Sequence, residues 1–326
     1  MKSKVLIISG ATATGKTALA LKLANQFGAE LISADSRQVY QEMDIVTGKD
    51  LPKKASFSQD IKLSKALNLD IGKYDFAGIP VWGLDLVKPD GEFSIAHFYR
   101  FVEPVIQNII SRDKLPIIVG GTGFYLKTLW QTPETLFVPQ NCSLRNHLNL
   151  QSTQNLQDEL QKLDNQKFTQ MNYSDQNNPR RLIRAIEVAK FKKQNLDQLK
   201  NYHKLDFDIL HLNIYTDLDL LAGKIKKRVI TRLNDGAIKE TQNLLQKYHK
   251  NLPSLSALRY KEIQIYLDNK ITKQELIDLW SLHELQYAKR QLTFFKKLKN
   301  IRRIYSENRE YLSQTKLLVQ KWLRNR

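Results

Sequence analysis

Short unbroken apolar runs alternate with helical periodicity through the first third of the chain. Val5–Ser9 reads as a buried strand, and Lys16–Gln26 as a helix with Leu19, Leu23 and Phe27 on one face. Glu30–Ser33 predicts a second strand, Val81–Leu86 a third and Leu115–Val119 a fourth, the last entered by a helix over about Ile95–Ser111. Short continuous strands of this kind belong to parallel sheets covered on both faces, and their alternation with helices gives the α/β class. From Gln131 to about Asp206 the pattern changes. Leu148, Leu156, Leu160 and Leu163, then Leu182–Ala189, recur with helical period, and β-branched runs are few. This stretch reads as a mostly helical insertion. Ile209–Tyr215 predicts a strand that returns to the sheet, and Asp217 onward reads as helix. The expected division is therefore 1–130 as the first part of a core, 131–206 as the insertion and 207–326 as the core's return. Thr47–Gly78 is Lys-rich and gives no clear assignment.

Composition narrows the class. The 326 residues carry 51 Lys+Arg against 33 Asp+Glu, so the formal charge is 51 − 33 = +18. With 42% hydrophobic residues the chain can bury a sizeable core, yet no stretch approaches the roughly 18 apolar residues of a membrane span. Met1-Lys2-Ser3-Lys4 runs directly into Val5–Ile8 without an apolar leader, so the expectation is a cytoplasmic protein with no membrane partner, taken as a monomer. Cys142 is the only cysteine, which excludes a disulfide framework and a cysteine-based zinc site. The six histidines (His97, His147, His203, His211, His249, His283) show no ligand spacing and read as structural or surface residues. The positive charge clusters in two blocks. One holds Lys224, Lys226, Lys227, Arg228 and Arg232; the other holds Lys289, Arg290, Lys296, Lys297, Lys299, Arg302 and Arg303. With Arg180, Arg181 and Arg184 they resemble a track for a phosphate-rich polymer. A generally Lys-, Asn- and Gln-rich proteome is the blander source of the same charge.

Gly10-Ala11-Thr12-Ala13-Thr14-Gly15-Lys16-Thr17 matches G-x-x-x-x-G-K-[ST] between a strand and a helix, the context that makes the motif a phosphate loop. Converging backbone N–H groups and the helix N-terminus would hold an anion, Lys16 would meet the outer phosphate, and the Thr17 hydroxyl would ligate Mg²⁺. A nucleoside triphosphate and a diphosphate ester both fit such a cradle. The fold expectation is a sheet like that of the P-loop nucleoside triphosphate hydrolases. The usual later strand ending in Asp is missing, since Leu115–Val119 ends in Gly120-Gly121-Thr122-Gly123; Asp85, after Val81–Leu84, could serve in its place. Asp35 follows the second strand and so lies at the sheet's carboxyl edge, where ligands gather. A carboxylate beside bound phosphate suits Mg²⁺ coordination or proton transfer, or it is simply the N-cap of a following helix. Gln38 has the donor and acceptor needed to read a purine edge.

These segments together resemble the tRNA dimethylallyltransferase family of P-loop prenyltransferases, which modify the adenosine at tRNA position 37. The resemblance runs nearly end to end. It is carried by Gly10–Thr17, by Ile32–Tyr40 with Met43-Asp44, by Leu115–Thr122 with Tyr125, by Asn178–Val188, by Tyr260-Lys261-Glu262 and by Gln286–Leu292. It implies transfer of a dimethylallyl group from dimethylallyl diphosphate to N6 of that adenosine in tRNAs reading codons that start with U. Asp35 would be the general base, and Thr12 and Arg228 would contact the diphosphate. The anticodon stem-loop contacts would fall on Asp35, Ser36, Arg37 and Gln38, on Thr122 and Arg145, and on Arg180, Arg181, Leu182, Ile183 and Arg184. A further set would be Ser256, Ala257, Leu258, Arg259, Tyr260 and Lys261. The family pattern is broken at Arg259, where glycine is usual, at Glu284-Leu285, where Thr-Arg is usual, and at Ile79–Gly83, which lacks paired histidines. Rival readings are an adenylate isopentenyltransferase acting on free nucleotides, a small-molecule P-loop kinase, and an RNA-binding protein with an inactive loop.

Overall fold

The computed structural model describes residues 2–52, 55–195, 205–255 and 259–325. The chain divides into two compact units, residues 1–130 with 206–326, and residues 131–205.

In the first unit, eight strands among the described residues form one sheet. They are β1 (Lys4–Gly10), β2 (Ala29–Ser33), β3 (Phe57–Gln59), β4 (Gly72–Phe76), β5 (Ile79–Trp82), β6 (Leu115–Gly120), β7 (Asp208–Tyr215) and β8 (Arg302–Tyr305). Their order is β3-β4-β5-β2-β6-β1-β7-β8. The β5-β2-β6-β1-β7-β8 portion is parallel throughout, and β3 and β4 continue it antiparallel. The parallel strands are the apolar runs legible in the sequence: Val5–Ile8, Leu31, Ile32, Ile117 and Ile118 have no exposure at all. The helices Lys16–Phe27 and Tyr311–Arg324 pack Leu19, Leu23 and Val319 against the sheet. Because β1, β2, β6 and β7 run the same way, the segments that follow them emerge at one edge.

Two expectations need correction. The unassigned 47–78 stretch supplies β3, the helix Ile61–Leu67 and β4. The C-terminal region is not wholly helical, for Arg302–Tyr305 pairs in parallel with β7. Its arginines are exposed on the sheet's edge, where charge discourages pairing with another chain.

The second unit is built from the helices Cys142–Leu148, Thr153–Gln170, Tyr173–Gln176 and Pro179–Gln194. Leu148, Leu156, Leu160, Leu182, Ile183 and Ile186 form its core. Among the described residues no helix is long and apolar enough to cross a membrane.

Candidate functional site

β1 ends at Gly10, whose position lies so close to the Ile214 carbonyl that a β-carbon would stand 2.6 Å from it. The chain then turns through Ala13, at φ +60°, and Gly15, at φ +86°, into the helix Lys16–Phe27. Thr14 Oγ1 donates to the Ala11 carbonyl at 2.9 Å and Lys16 Nζ to the same oxygen at 2.5 Å. Burial, followed by the charge of Arg228, pushes the Lys16 ammonium down to about 8, with Asp35 and Glu284 opposing. Burial that outweighs the two carboxylates leaves an ammonium that a bound anion would stabilise.

Gln291, from the helix Lys273–Lys296, is a site residue that the sequence reading quoted within a motif but gave no role. Its buried amide accepts from Thr12 N at 2.8 Å and donates to the Gly121 carbonyl at 3.0 Å, so it ties the phosphate loop to the loop after β6.

Asp35 does not cap a helix. Its Oδ1 accepts from Arg37 N at 2.8 Å, closing a local turn, and no helix follows. Thr122 Oγ1 accepts from Ser36 N at 3.0 Å and ties the same turn to the β6 loop. Gln38 accepts from Ser33 Oγ at 2.9 Å and donates to the Gly48 carbonyl at 2.8 Å. Its amide therefore positions the 43–48 segment, with one N–H and one lone pair left over. Glu240 holds that segment from the other end, accepting from the amides of Asp44, Ile45 and Val46 at 2.9, 2.6 and 3.1 Å. Tyr260 donates to Glu240 at 2.8 Å.

One cavity gathers these parts. Its polar wall includes Thr12, Lys16, Thr17, Asp35, Gln38 and Arg228, and Leu31, Phe76, Val81, Leu84 and Val119 give it an apolar wall. Tyr287 also lines it, and burial, then the Asp35 carboxylate, pushes the Tyr287 phenol up to about 12. Arg228 pairs with Asp50 at 2.9 Å while half-exposed. Asp85 does not serve as a metal carboxylate. It pairs with the buried Lys49 Nζ and accepts from Tyr74 OH at 2.5 Å.

The remaining predicted residues separate by burial. Tyr260 is buried, with its hydroxyl committed to Glu240, so it does not present a side chain to RNA; Lys261 is exposed. Ser256, Ala257 and Leu258 lie outside the described residues. In the second unit, the side chains of Leu182 and Ile183 are buried in the hydrophobic core, so they do not face a ligand as side chains. Arg145 donates to Glu187 through Nε at 2.9 Å and Nη2 at 2.7 Å, and to Gln140 at 2.6 Å. Arg184 pairs with the same Glu187 and donates to the Thr135 and Val138 carbonyls at 2.7 and 2.9 Å. Burial raises the Glu187 carboxyl, but hydrogen bonds from Arg145, the Asn141 amide and Arg184 more than reverse this, leaving it lowered. Arg180 and Arg181 are exposed, the latter paired with Asp175.

A P-loop α/β unit with a cationic, partly apolar cavity and a carboxylate at the sheet edge, joined to a helical unit, is the architecture of a group-transfer enzyme acting on phosphorylated substrates. The IPP transferase profile matches residues 38–298, and the isopentenyl transferase profile matches residues 3–66. A tRNA dimethylallyltransferase of Exiguobacterium sp. is 33% identical over 300 residues, covering 90% of this chain and 88% of the relative. One from Thermoanaerobacter pseudethanolicus is 30% identical and covers 99% and 98%. Among solved structures, the tRNA isopentenylpyrophosphate transferase of Bacillus halodurans superposes with a TM-score of 0.68 at 28% identity, covering 99% and 97%. The chain belongs to the IPP transferase family.

Proposed function

We propose that the chain transfers a dimethylallyl group from dimethylallyl diphosphate to N6 of the adenosine at position 37 of tRNA, releasing diphosphate. The observation that carries this reading is the two-sided cavity. Lys16, Arg228 and the phosphate-loop amides face the needs of a diphosphate, while Leu31, Phe76, Val81, Leu84 and Val119 suit a five-carbon hydrocarbon. The family membership over residues 38–298, which includes the helical unit and the basic C-terminal helix, favours tRNA over a free nucleotide and disfavours a kinase.

The exocyclic amine of adenine is a weak nucleophile because its lone pair is delocalised. As the new N6–C1 bond forms, the C1–O bond to diphosphate breaks, and the amine proton passes to the Asp35 carboxylate. Asp35 is suited to this because the Arg37 amide occupies only Oδ1, leaving its other oxygen for the amine. Charge grows on the departing diphosphate, so Lys16, Arg228 and the loop amides stabilise the transition state more than the ground state. Thr12 belongs to the same cradle, its amide position set by Gln291.

Thr17, on the cavity wall, would offer its hydroxyl to a Mg²⁺ ion there. The ion would neutralise charge on the diphosphate. The exposed Arg180, Arg181 and Lys261, with Arg37, are the proposed contacts to the anticodon stem-loop, and a monomer in the cytoplasm is the proposed setting. Incubating tRNA with the protein, Mg²⁺ and dimethylallyl diphosphate, followed by mass spectrometry, should show one five-carbon unit added to that adenosine. Modification of AMP instead of tRNA would overturn the choice of acceptor.

A further inference from the structure

Arg259 sits at φ +91°, ψ −56°, a backbone region that strains any residue with a β-carbon. Strain of this kind persists only where the surroundings over-determine it. Its guanidinium forks onto Glu284, with Nε 2.5 Å from Oε1 and Nη2 3.2 Å from Oε2, and Nη1 donates to the Thr47 carbonyl at 3.4 Å. Arg232, on the helix Leu218–Asn234, donates to the same Oε1 at 3.4 Å. The three side chains are 11%, 4% and 6% exposed for Arg259, Glu284 and Arg232.

One buried carboxylate thus faces two buried guanidiniums, and both arginines line the cavity that also holds Lys16 and Arg228. The cluster carries uncompensated positive charge where little water can enter. Arg232 Nε is buried and finds no hydrogen-bond partner among the described residues, an arrangement that is costly unless a ligand completes it. The neighbouring backbone makes room for this convergence. At Gly48, φ +68°, a β-carbon would lie 1.9 Å from Arg232 Nη2 and 2.8 Å from Arg228 Nη2.

We propose that Arg232 and Arg259, held by the shared carboxylate of Glu284, form a second anion-binding arm of the cavity that grips the diphosphate alongside the phosphate loop, Lys16 and Arg228. Glu284 is the positioning residue. It fixes both guanidiniums and cancels one of their charges, leaving the other for the ligand. This assignment rests on the diphosphate reading above.

The test is calorimetry with inorganic pyrophosphate and Mg²⁺ on the full chain, alongside thermal unfolding. Arg259→Gly relieves the strained backbone and leaves Glu284 paired with Arg232; Arg232→Met leaves it paired with Arg259. Neither strands the buried carboxylate. Each should weaken pyrophosphate about tenfold, the loss of one charge-assisted hydrogen bond. Should Arg259→Gly fold poorly, Arg259→Lys gives the same reading with a smaller loss. Pyrophosphate affinities within twofold of the unaltered chain, with a lowered melting temperature, would make the cluster a structural brace and overturn the proposal. Loss of tRNA affinity with pyrophosphate unchanged would also overturn it, giving Arg259 to the RNA. If the unaltered chain binds no pyrophosphate, the diphosphate reading itself fails.

Discussion

Each of the two units contains a buried glutamate bracketed by two arginines, and the two clusters are finished differently. In the helical unit, Glu187 receives Arg145 and Arg184, and the arginines' remaining donors reach Gln140 and the Thr135 and Val138 carbonyls. Such a network is a brace that ties the segment before Cys142 to the helix Pro179–Gln194. In the catalytic unit, Glu284 receives Arg232 and Arg259, yet Arg232 Nε is orphaned and Arg259 is held in strained backbone. The same three residue types make a closed joint in one place and an open, charge-unbalanced wall in the other. Completeness of hydrogen bonding, rather than residue identity, separates the structural cluster from the ligand-seeking one.

The comparison can be broken at several points. The largest effect is expected at Asp35, since the proposed proton transfer rests on its carboxylate. Asp35→Asn keeps an acceptor for the Arg37 amide, so the turn persists. Single-turnover prenyl transfer should fall roughly 10²–10⁴-fold, with tRNA affinity changed only a few-fold; near-normal transfer would remove Asp35 as the base.

Next comes the brace. Glu187→Ala leaves two partly buried guanidiniums without their carboxylate and should lower stability by roughly 3–5 kcal/mol in denaturant unfolding, while the folded protein binds pyrophosphate as before. A pyrophosphate defect with stability intact would erase the distinction between the clusters.

A smaller effect follows from Lys16. Its ammonium is held at about 8, and diphosphate binding favours the charged form. Pyrophosphate affinity should therefore be insensitive to this group below pH 8 and fall as pH rises above it, approaching about tenfold per pH unit. Lys16→Arg keeps its charge throughout that range and supplies the reference; identical profiles would exclude Lys16.

The smallest effect separates arginines within the helical unit. Arg181→Ala, at an exposed ion pair, should leave the melting temperature unchanged and weaken tRNA binding several-fold, with a shallower salt dependence. A change in melting temperature without any change in tRNA binding would place Arg181 with the brace.

What could be read from the sequence follows a physical line. The central strands were legible because strands covered on both faces must be continuously apolar. Those at the sheet's margins were not. Phe57–Gln59 is exposed, and Arg302–Tyr305 is concealed in a basic run because an edge strand tolerates charge. In the site, Gly10–Thr17 and Asp35–Gln38 announced themselves because their geometry is local. Gln291 reaches Thr12 across 279 residues and Glu240 reaches the 44–46 amides across 194 to 196, so no spacing signal links them. Leu182 and Ile183 stand beside arginines in the sequence, but alternate faces of one helix meet different surroundings, and these two side chains lie in the core.

The Gln291 carboxamide has one further meaning. A single side chain, anchored on a long helix, touches the amide of Thr12 and the carbonyl of Gly121 at once. It works as a spacer of set length between two loops. Asparagine, one methylene shorter from the same anchor, would surrender at least one of those contacts. The distance between two loops that line the cavity is thus set from a part of the chain that belongs to neither.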